Sequence, residues 1–174
     1  NYGVATDNLD NIYVTEVGST SRFQKFDSAG NYLFQTGSYG RGPGEFNGPR
    51  SPAIDSQGNI YISDRRNDRI QKFDANGQFL TLWGSRGTGP EQFFEMDSIE
   101  MGANDILWVA GYHKNDIQQF DSNGNLVDRW VGFKSGDGDF IEARGIGVVD
   151  GKVYVVDGDN NRVQVFDEAT GEFL

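Results

Sequence analysis

The stretch "NDRIQKFDANGQFL" (residues 67–80) returns 93 residues later as "NNRVQVFDEATGEFL" (residues 160–174). Each copy has a short run with apolar residues at alternate positions, then Phe-Asp, then a turn-like segment containing Gly, which is typical of two β-strands joined by a hairpin. Alignment on the Phe-Asp pair finds two further copies. The pairs begin at Phe26, Phe73, Phe120 and Phe166, with steps of 47, 47 and 46 residues. The chain therefore contains four copies of one unit.

Other aromatic residues follow the same spacing. One set is Tyr13, Tyr61, Trp108 and Tyr154, and a second set is Phe46, Phe93 and Phe140. A period in the forties built from strand-like runs predicts β-propeller blades, because helical repeats would place apolar residues at i, i+3 and i+4. The sequence thus predicts an all-β fold of four blades, each with four antiparallel strands, in one domain spanning 1–174. The predicted blades are about 1–46, 47–93, 94–140 and 141–174.

Asp and Gly cluster between the predicted strands. Segments 27–31, 55–59, 74–78 and 121–125 each begin with Asp and contain Gly. Asp can bond the turn backbone and Gly accepts a positive φ, so these segments are predicted hairpin turns. A calcium loop is the alternative interpretation, but none of the segments completes the twelve-residue pattern with its terminal Glu. No metal site is predicted.

Charge and composition exclude several classes of partner. The 26 acidic and 15 basic side chains give a net charge of −11, which disfavours nucleic acid and anionic lipid surfaces. No run approaches 18 apolar residues, so no membrane insertion is expected. The chain has no Cys, which suits a secreted bacterial protein as well as a cytosolic one. We favour a secreted or periplasmic location over a cytoplasmic one.

Residues 44–87, "GEFNGPRSPAIDSQGNIYISDRRNDRIQKFDANGQFLTLWGSRG", resemble an NHL repeat. That family reads as a Phe-x-x-Pro lead-in, an inner strand, a Gly-Asn-Ile-Tyr-Val-x-Asp strand and an Asn-x-Arg-Ile-Gln-x-Phe strand. The resemblance covers nearly the whole chain and is weakest in the third copy. It implies an NHL-type propeller, commonly of six blades. Four blades would then be part of a larger propeller, or would be completed by association with a second chain; a closed ring of four blades is the alternative.

Acidic and basic residues recur in pairs within the repeat. Asp64 precedes Arg69 by five residues and Asp157 precedes Arg162 by five, while the first copy has Glu16 and Arg22. In the third copy the two positions are Gly111 and Asp116, so this pair is lost as a unit. We interpret the pairs as structural ion pairs that join the end of the second strand to the start of the third.

The sequence offers little catalytic chemistry. Some relatives with NHL-like propellers are metal-dependent lyases that use several His residues, whereas this chain has His113 alone. It also lacks Cys and a Gly-x-Ser-x-Gly elbow. We therefore expect no catalytic residue, no cofactor and no enzymatic activity. The alternative is a propeller lyase or hydrolase whose metal ligands lie on blades outside these 174 residues.

A binding surface is the remaining functional prediction. Propellers bind at the mouth of the central channel, on loops that lead into the inner strands and loops between second and third strands. Residues that the blade itself requires should be the same in every copy. Positions that are equivalent between copies but carry different side chains are therefore available for ligand binding. The candidates are Tyr2, Arg50, Asp97 and Arg144 on the first type of loop, and Arg65, Arg66, Tyr112, His113 and Asp159 on the second. They predict an interaction or scaffold module for a protein, peptide or glycan, although solvated loop charges without a ligand are the alternative.

Overall fold

The computed structural model describes residues 3–113, 115–132 and 136–174. The chain is all-β, as predicted, and its only helical segments in those ranges are the 3-10 turns Arg65–Asn67 and Ala103–Asp105. Contacts divide the chain into two compact units, Asn1–Arg86 and Gly87–Leu174, and each holds two blade-like sheets. None of the helices in the described part of the chain has the length and apolar character needed to span a bilayer.

The first unit contains blades 1 and 2, each with four antiparallel strands. Blade 1 is β1 (Gly3–Thr6), β2 (Ile12–Glu16), β3 (Arg22–Phe26) and β4 (Tyr32–Thr36). Short parallel strands follow, β5 (Ser38–Tyr39) and β6 (Glu45–Phe46). Blade 2 is β7 (Pro49–Ile54), β8 (Ile60–Asp64), β9 (Arg69–Phe73) and β10 (Phe79–Trp83), and β11 (Ser85–Arg86) ends the unit.

The second unit contains blades 3 and 4. It begins with β12 (Gln92–Phe93), and blade 3 is β13 (Met96–Met101), β14 (Leu107–Gly111), β15 (Asp116–Phe120) and β16 (Leu126–Val131). Blade 4 has three strands, β17 (Ala143–Val149), β18 (Lys152–Asp157) and β19 (Arg162–Asp167). The fourth strand predicted for this blade is represented by a single bridge between Phe166 and Phe173.

The turns between strands are held by their Asp residues. Asp55 Oδ1 accepts from the backbone N–H groups of Gln57 at 3.0 Å and Asn59 at 2.8 Å. Its Oδ2 accepts from the hydroxyl of Tyr61 at 3.0 Å. Asp7 makes the equivalent contacts in blade 1, including one with the Tyr13 hydroxyl at 2.9 Å. One repeated carboxylate therefore closes the turn and fixes the repeated Tyr.

Repeated Phe residues fill the space between blades within each unit. In the first unit the Phe46 ring lies 6.3 Å from Phe23 of blade 1 and 5.8 Å from Phe73 of blade 2. In the second unit Phe140 packs in the cluster that joins Trp108 of blade 3 to Phe166 of blade 4. All these rings are buried. The Gly-rich segments that carry the repeated Phe are thus connections between blades, with the Phe packed into the core.

Candidate functional site

Three of the predicted binding residues meet in one cavity of the first unit. Arg50, Arg65 and Arg66 line a space of about 270 Å³, which we call the arginine cavity. Its other lining residues are Val17, Gly18, Ser21, Tyr39, Asn47 and Gly48. No carboxylate is present among these described lining residues. In a protein with a net charge of −11, this cavity is a locally cationic spot.

The repeat architecture brings the three arginines together. Arg50 lies near the start of β7, and its carbonyl oxygen accepts from the Thr15 hydroxyl of β2. Arg65 and Arg66 occupy the 3-10 turn after β8, where the backbone N–H of Arg66 donates to Asn47 O at 3.0 Å. Asp68 closes that turn in the left-handed conformation, with φ of 53°. Residues that are 15 positions apart in sequence therefore line one cavity.

The predicted residues of the second unit form a separate cluster. Arg144 Nη2 lies 2.6 Å from Glu142 Oε2, and its guanidinium carbon lies 5.0 Å from the centre of the Tyr112 ring. His113 Nε2 lies 3.7 Å from Glu95 Oε2. The hydrogen bond from Arg144 holds the pKa of the Glu142 carboxyl below its usual value. Arg144 is thus matched to a carboxylate within its own unit.

Two of the remaining candidates, Asp97 and Asp159, lie outside the arginine cavity. Asp97 is half-buried on β13, at an irregularity in the pairing between Met96 and Ser98, and does not line the arginine cavity. Asp159 Oδ1 lies 3.7 Å from Arg144 Nη2. Tyr2 lies outside the described residues.

The ion-pair residues are in contact and serve the connections between blades. Arg69 Nε donates to Asp64 Oδ2 at 2.8 Å, and the same atoms of Arg162 and Asp157 lie 2.8 Å apart. Arg22 Nε lies 2.5 Å from Glu16 Oε2. The Arg69 guanidinium also donates to the carbonyl oxygens of Arg41, Gly42 and Glu45, which lie in the connection between blades 1 and 2.

Blade 3 has an ion pair that the sequence did not predict. Asp116, which occupies the usual Arg position, accepts from Arg129 Nε at 2.8 Å. Arg129 comes from the outer strand β16, and its Nη2 donates to Thr88 O at 3.0 Å. The acid and the base have therefore changed strands while the contact with the preceding connection is kept. Only the pairing of β15 with β16 places these residues together, so an offset search along the sequence could not find them.

No metal site accompanies these clusters in the described residues: no three His, Asp or Glu side chains there are grouped so as to hold an ion. The arginine cavity is therefore the strongest candidate, because it combines converging cations, a defined volume and no internal carboxylate.

Solved structures with the same fold have varied roles. A catalytically inactive virginiamycin B lyase from Staphylococcus aureus, solved with quinupristin, is 16% identical, with a TM-score of 0.73 over 99% of this chain and 54% of that chain. A protein of unknown function from Bacteroides caccae is 14% identical, with a TM-score of 0.74 over 99% of this chain and 65% of that one. A chain of a nidogen/laminin complex is 15% identical, with a TM-score of 0.72 over 97% and 60%.

These likenesses establish the fold, since the identities are low, and the chain spans about half the length of the lyase it matches. No curated protein is significantly similar in sequence. Two family models do match. An NHL-repeat model matches residues 140–166, and a model described as a 6-bladed β-propeller matches residues 4–81 and again 55–128. The chain, with its NHL-type repeats, belongs to this family of six-bladed β-propellers.

Proposed function

We propose that the protein is a non-enzymatic interaction module whose arginine cavity receives a carboxylate side chain of a protein or peptide partner. The observation that carries the proposal is the convergence of Arg50, Arg65 and Arg66 on one cavity whose described lining has no carboxylate. Guanidinium groups bind carboxylates through paired, charge-assisted hydrogen bonds, and Arg is enriched at the energetic centres of interfaces.

The rest of the cavity suits a side chain better than a large ligand. Its volume of about 270 Å³ accommodates one acidic side chain with its flanking backbone, and Val17 and Tyr39 offer apolar contact beside the cations. The overall charge of −11 opposes polyanions at long range, so a short acidic segment is favoured over nucleic acid. The nidogen/laminin chain shows that a propeller of this fold can occur in a protein complex.

Peptide titration of the 174-residue chain tests the proposal. The probe is a capped peptide that contains Glu and Asp, and the control peptide has Gln and Asn at the same places. We expect the acidic peptide to bind and the neutral one to bind at least about tenfold more weakly. Binding should weaken as salt is raised, because partly exposed ion pairs are screened.

Matched variants separate the cavity from general charge. Arg66→Ala should weaken acidic-peptide binding by about tenfold or more. Arg41→Ala makes the same change of charge at an exposed residue of the same unit that does not line the cavity, and should leave binding intact. Equal binding of both peptides, or equal losses in both variants, would refute the proposal.

A further inference from the structure

A second cavity, in the other unit, has features that point to a small ligand. It encloses about 360 Å³ between the 3-10 turn of blade 3 and the turn that follows β19 of blade 4. We call it the tryptophan cavity. Its lining residues are Ala103, Asn104, Ile106, Trp108, Gln119, Gly151, Asp167, Glu168 and Ala169.

Trp108 presents a buried hydrogen-bond donor at this cavity. The side chain is 1% exposed, and its indole Nε1–H has no hydrogen-bond partner among the described residues. In blades 1 and 2 the equivalent residues, Tyr13 and Tyr61, donate their hydroxyls to the turn residues Asp7 and Asp55. A buried donor without a partner is costly, so an external acceptor at this place would be stabilising.

The missing acceptor in blade 3 is explained by Gly102. It takes the place of Asp7 and Asp55 in the repeat and has no side chain with which to accept from Trp108. A Cβ on Gly102 would lie 2.6 Å from Trp108 Nε1 and 2.5 Å from Glu168 Oε1. The donor of Trp108 and the carboxylate of Glu168, which both line the cavity, therefore lie close together beside Gly102.

Glu168 is held in place from blade 4. Its Oε1 accepts from the backbone N–H of Ala103 at 2.6 Å, and its own backbone N–H donates to Gly151 O at 2.9 Å. The neighbouring Asp167 carboxylate is occupied within its turn by Thr170 and Ala169. The cavity thus offers a fixed donor, a fixed acceptor and a net negative rim.

The Trp108 donor, the Glu168 acceptor and the negatively charged rim together restrict the charge and the polarity of a ligand for this cavity. An anion would be repelled by the two carboxylates, and an ammonium group has no lone pair to accept from the indole N–H. A hydroxyl group fits, because it can accept from Trp108 and donate to Glu168 at once. Asn104 and Gln119 offer further amide groups for additional hydroxyls, and Ile106 and Ala169 offer apolar contact.

We propose that the tryptophan cavity binds a neutral sugar ring, either free or at the end of a glycan. A pyranose has several hydroxyls around an apolar C–H face and is small enough for a cavity of about 360 Å³. A primary amide, such as an Asn or Gln side chain of a peptide, has the same ability to donate and accept but supplies only one such group. The number of polar side chains around the cavity favours the sugar.

The indole N–H signals provide a direct test. The chain has 3 Trp, so the ¹⁵N-labelled protein gives up to three indole signals, and Trp108→Phe identifies that of Trp108. Glucose, galactose and N-acetylglucosamine are titrated to about 50 mM, a range that detects millimolar dissociation constants. At least one sugar should shift the Trp108 signal in a saturable manner. A methyl glycoside of that sugar should shift it as well if the natural source is a glycan end, and should fail if only the free sugar fits.

Two variants show whether the shift arises in the cavity. Glu168→Ala removes the acceptor and should weaken sugar binding at least about tenfold. Glu172→Ala makes the same change of charge at an exposed residue of the same turn, outside the cavity, and should bind normally. The proposal is overturned if no sugar moves the Trp108 signal, if both variants bind alike, or if acetamide moves the signal where sugars do not.

Discussion

Glu100 is a half-buried carboxyl at a position where blades 1 and 2 have small residues. The equivalent residues in blades 1 and 2 are Ala5 and Ala53. Glu100 lies on β13 directly across from Trp108 of β14. Burial, which disfavours the charged form, raises its pKa to about 7. This residue therefore changes its charge near neutral pH.

The first prediction concerns Glu100→Gln. Because the folded-state pKa lies above the unfolded value of 4.5, the contribution of Glu100 to stability is complete below about pH 4.5 and is lost as the pH rises through about 7. The variant should match the parent at about pH 4.5 and exceed its free energy of unfolding by about 1–3 kcal/mol at about pH 8. Urea denaturation at the two pH values measures this. A difference that is the same at both would contradict the assignment.

The second prediction concerns the buried pair Asp64 and Arg69. Asp64 is fully buried and also accepts from Asn47 N–H at 2.7 Å and Asn67 Nδ2 at 2.8 Å. Removing one partner leaves the other buried without its charge partner, which costs about 3–5 kcal/mol. Asp64→Asn and Arg69→Met should therefore each destabilise, and the double variant should lose clearly less than the sum. Additive losses in the double-mutant cycle would show that the pair does not act as one unit.

At the scale of strands, the same structural task is performed by different elements. In blade 2 the guanidinium that contacts the connection between blades comes from β9, whereas in blade 3 it comes from the outer strand β16. The outer strand β16 is thereby held to blade 3 by the ion pair between Arg129 and Asp116 as well as by its backbone hydrogen bonds to β15. Asp116, at 1% exposure, depends on this arrangement.

The third prediction follows for Arg129→Ala. It should lower the free energy of unfolding by about 1–3 kcal/mol, because a buried carboxylate loses a charged donor. Arg144→Ala is the matched control in the same unit: the side chain of its partner Glu142 is 20% exposed, against 1% for Asp116, so its loss should be clearly smaller. Thermal or urea unfolding of the two variants decides the matter, and equal losses would argue against a special role for Arg129.

Repetition explains what the sequence could and could not predict. The apolar runs between the Gly-containing turns predict the strands of blade 2 at 51–55, 59–64, 69–74 and 78–84, and each range lies within two residues of the observed strand bounds. Arg50 meets Arg65 and Arg66 because the start of the inner strand and the loop between the second and third strands lie at the same end of blade 2. The tryptophan cavity could not be foreseen, because it depends on the approach of Glu168 from another blade to a turn that has lost its Asp. A departure from the repeat, such as Gly102 in place of the usual Asp, indicates where such a cavity can form. Only the packing of the blades shows which residue of the neighbouring blade lies there.

At the scale of the whole molecule, one face of blade 4 is unlike its counterparts. Val156 of β18 and Val163 of β19 face each other across the ladder and are 42% and 58% exposed. The equivalent residues are Thr15 and Phe23 in blade 1 and Ala110 and Ile117 in blade 3, and all four are fully buried. The face of blade 4 therefore has the apolar side chains of a blade interface while remaining accessible to water.

The fourth prediction is that the isolated 174-residue chain associates through this face unless further blades cover it. Val156→Thr with Val163→Thr keeps the β-branched shape and lowers the apolar character, so it should shift the chain toward the monomer. Val4→Thr with Val149→Thr, at other exposed Val residues, is the comparison. Light scattering as a function of concentration measures the shift. A parent chain that is monomeric throughout would exclude this association.

The lining of the arginine cavity also contains a residue that is prone to slow deamidation. Asn47 is followed by Gly48, whose φ is 72°, and an Asn-Gly sequence is the dipeptide most prone to deamidation, since glycine leaves the attacking backbone nitrogen unhindered. Conversion of the amide would place a carboxylate of the protein itself beside Arg50 and Arg66. Aged molecules would then carry a built-in competitor for the acidic side chain that we expect the cavity to receive, and would lose binding while their fold persists.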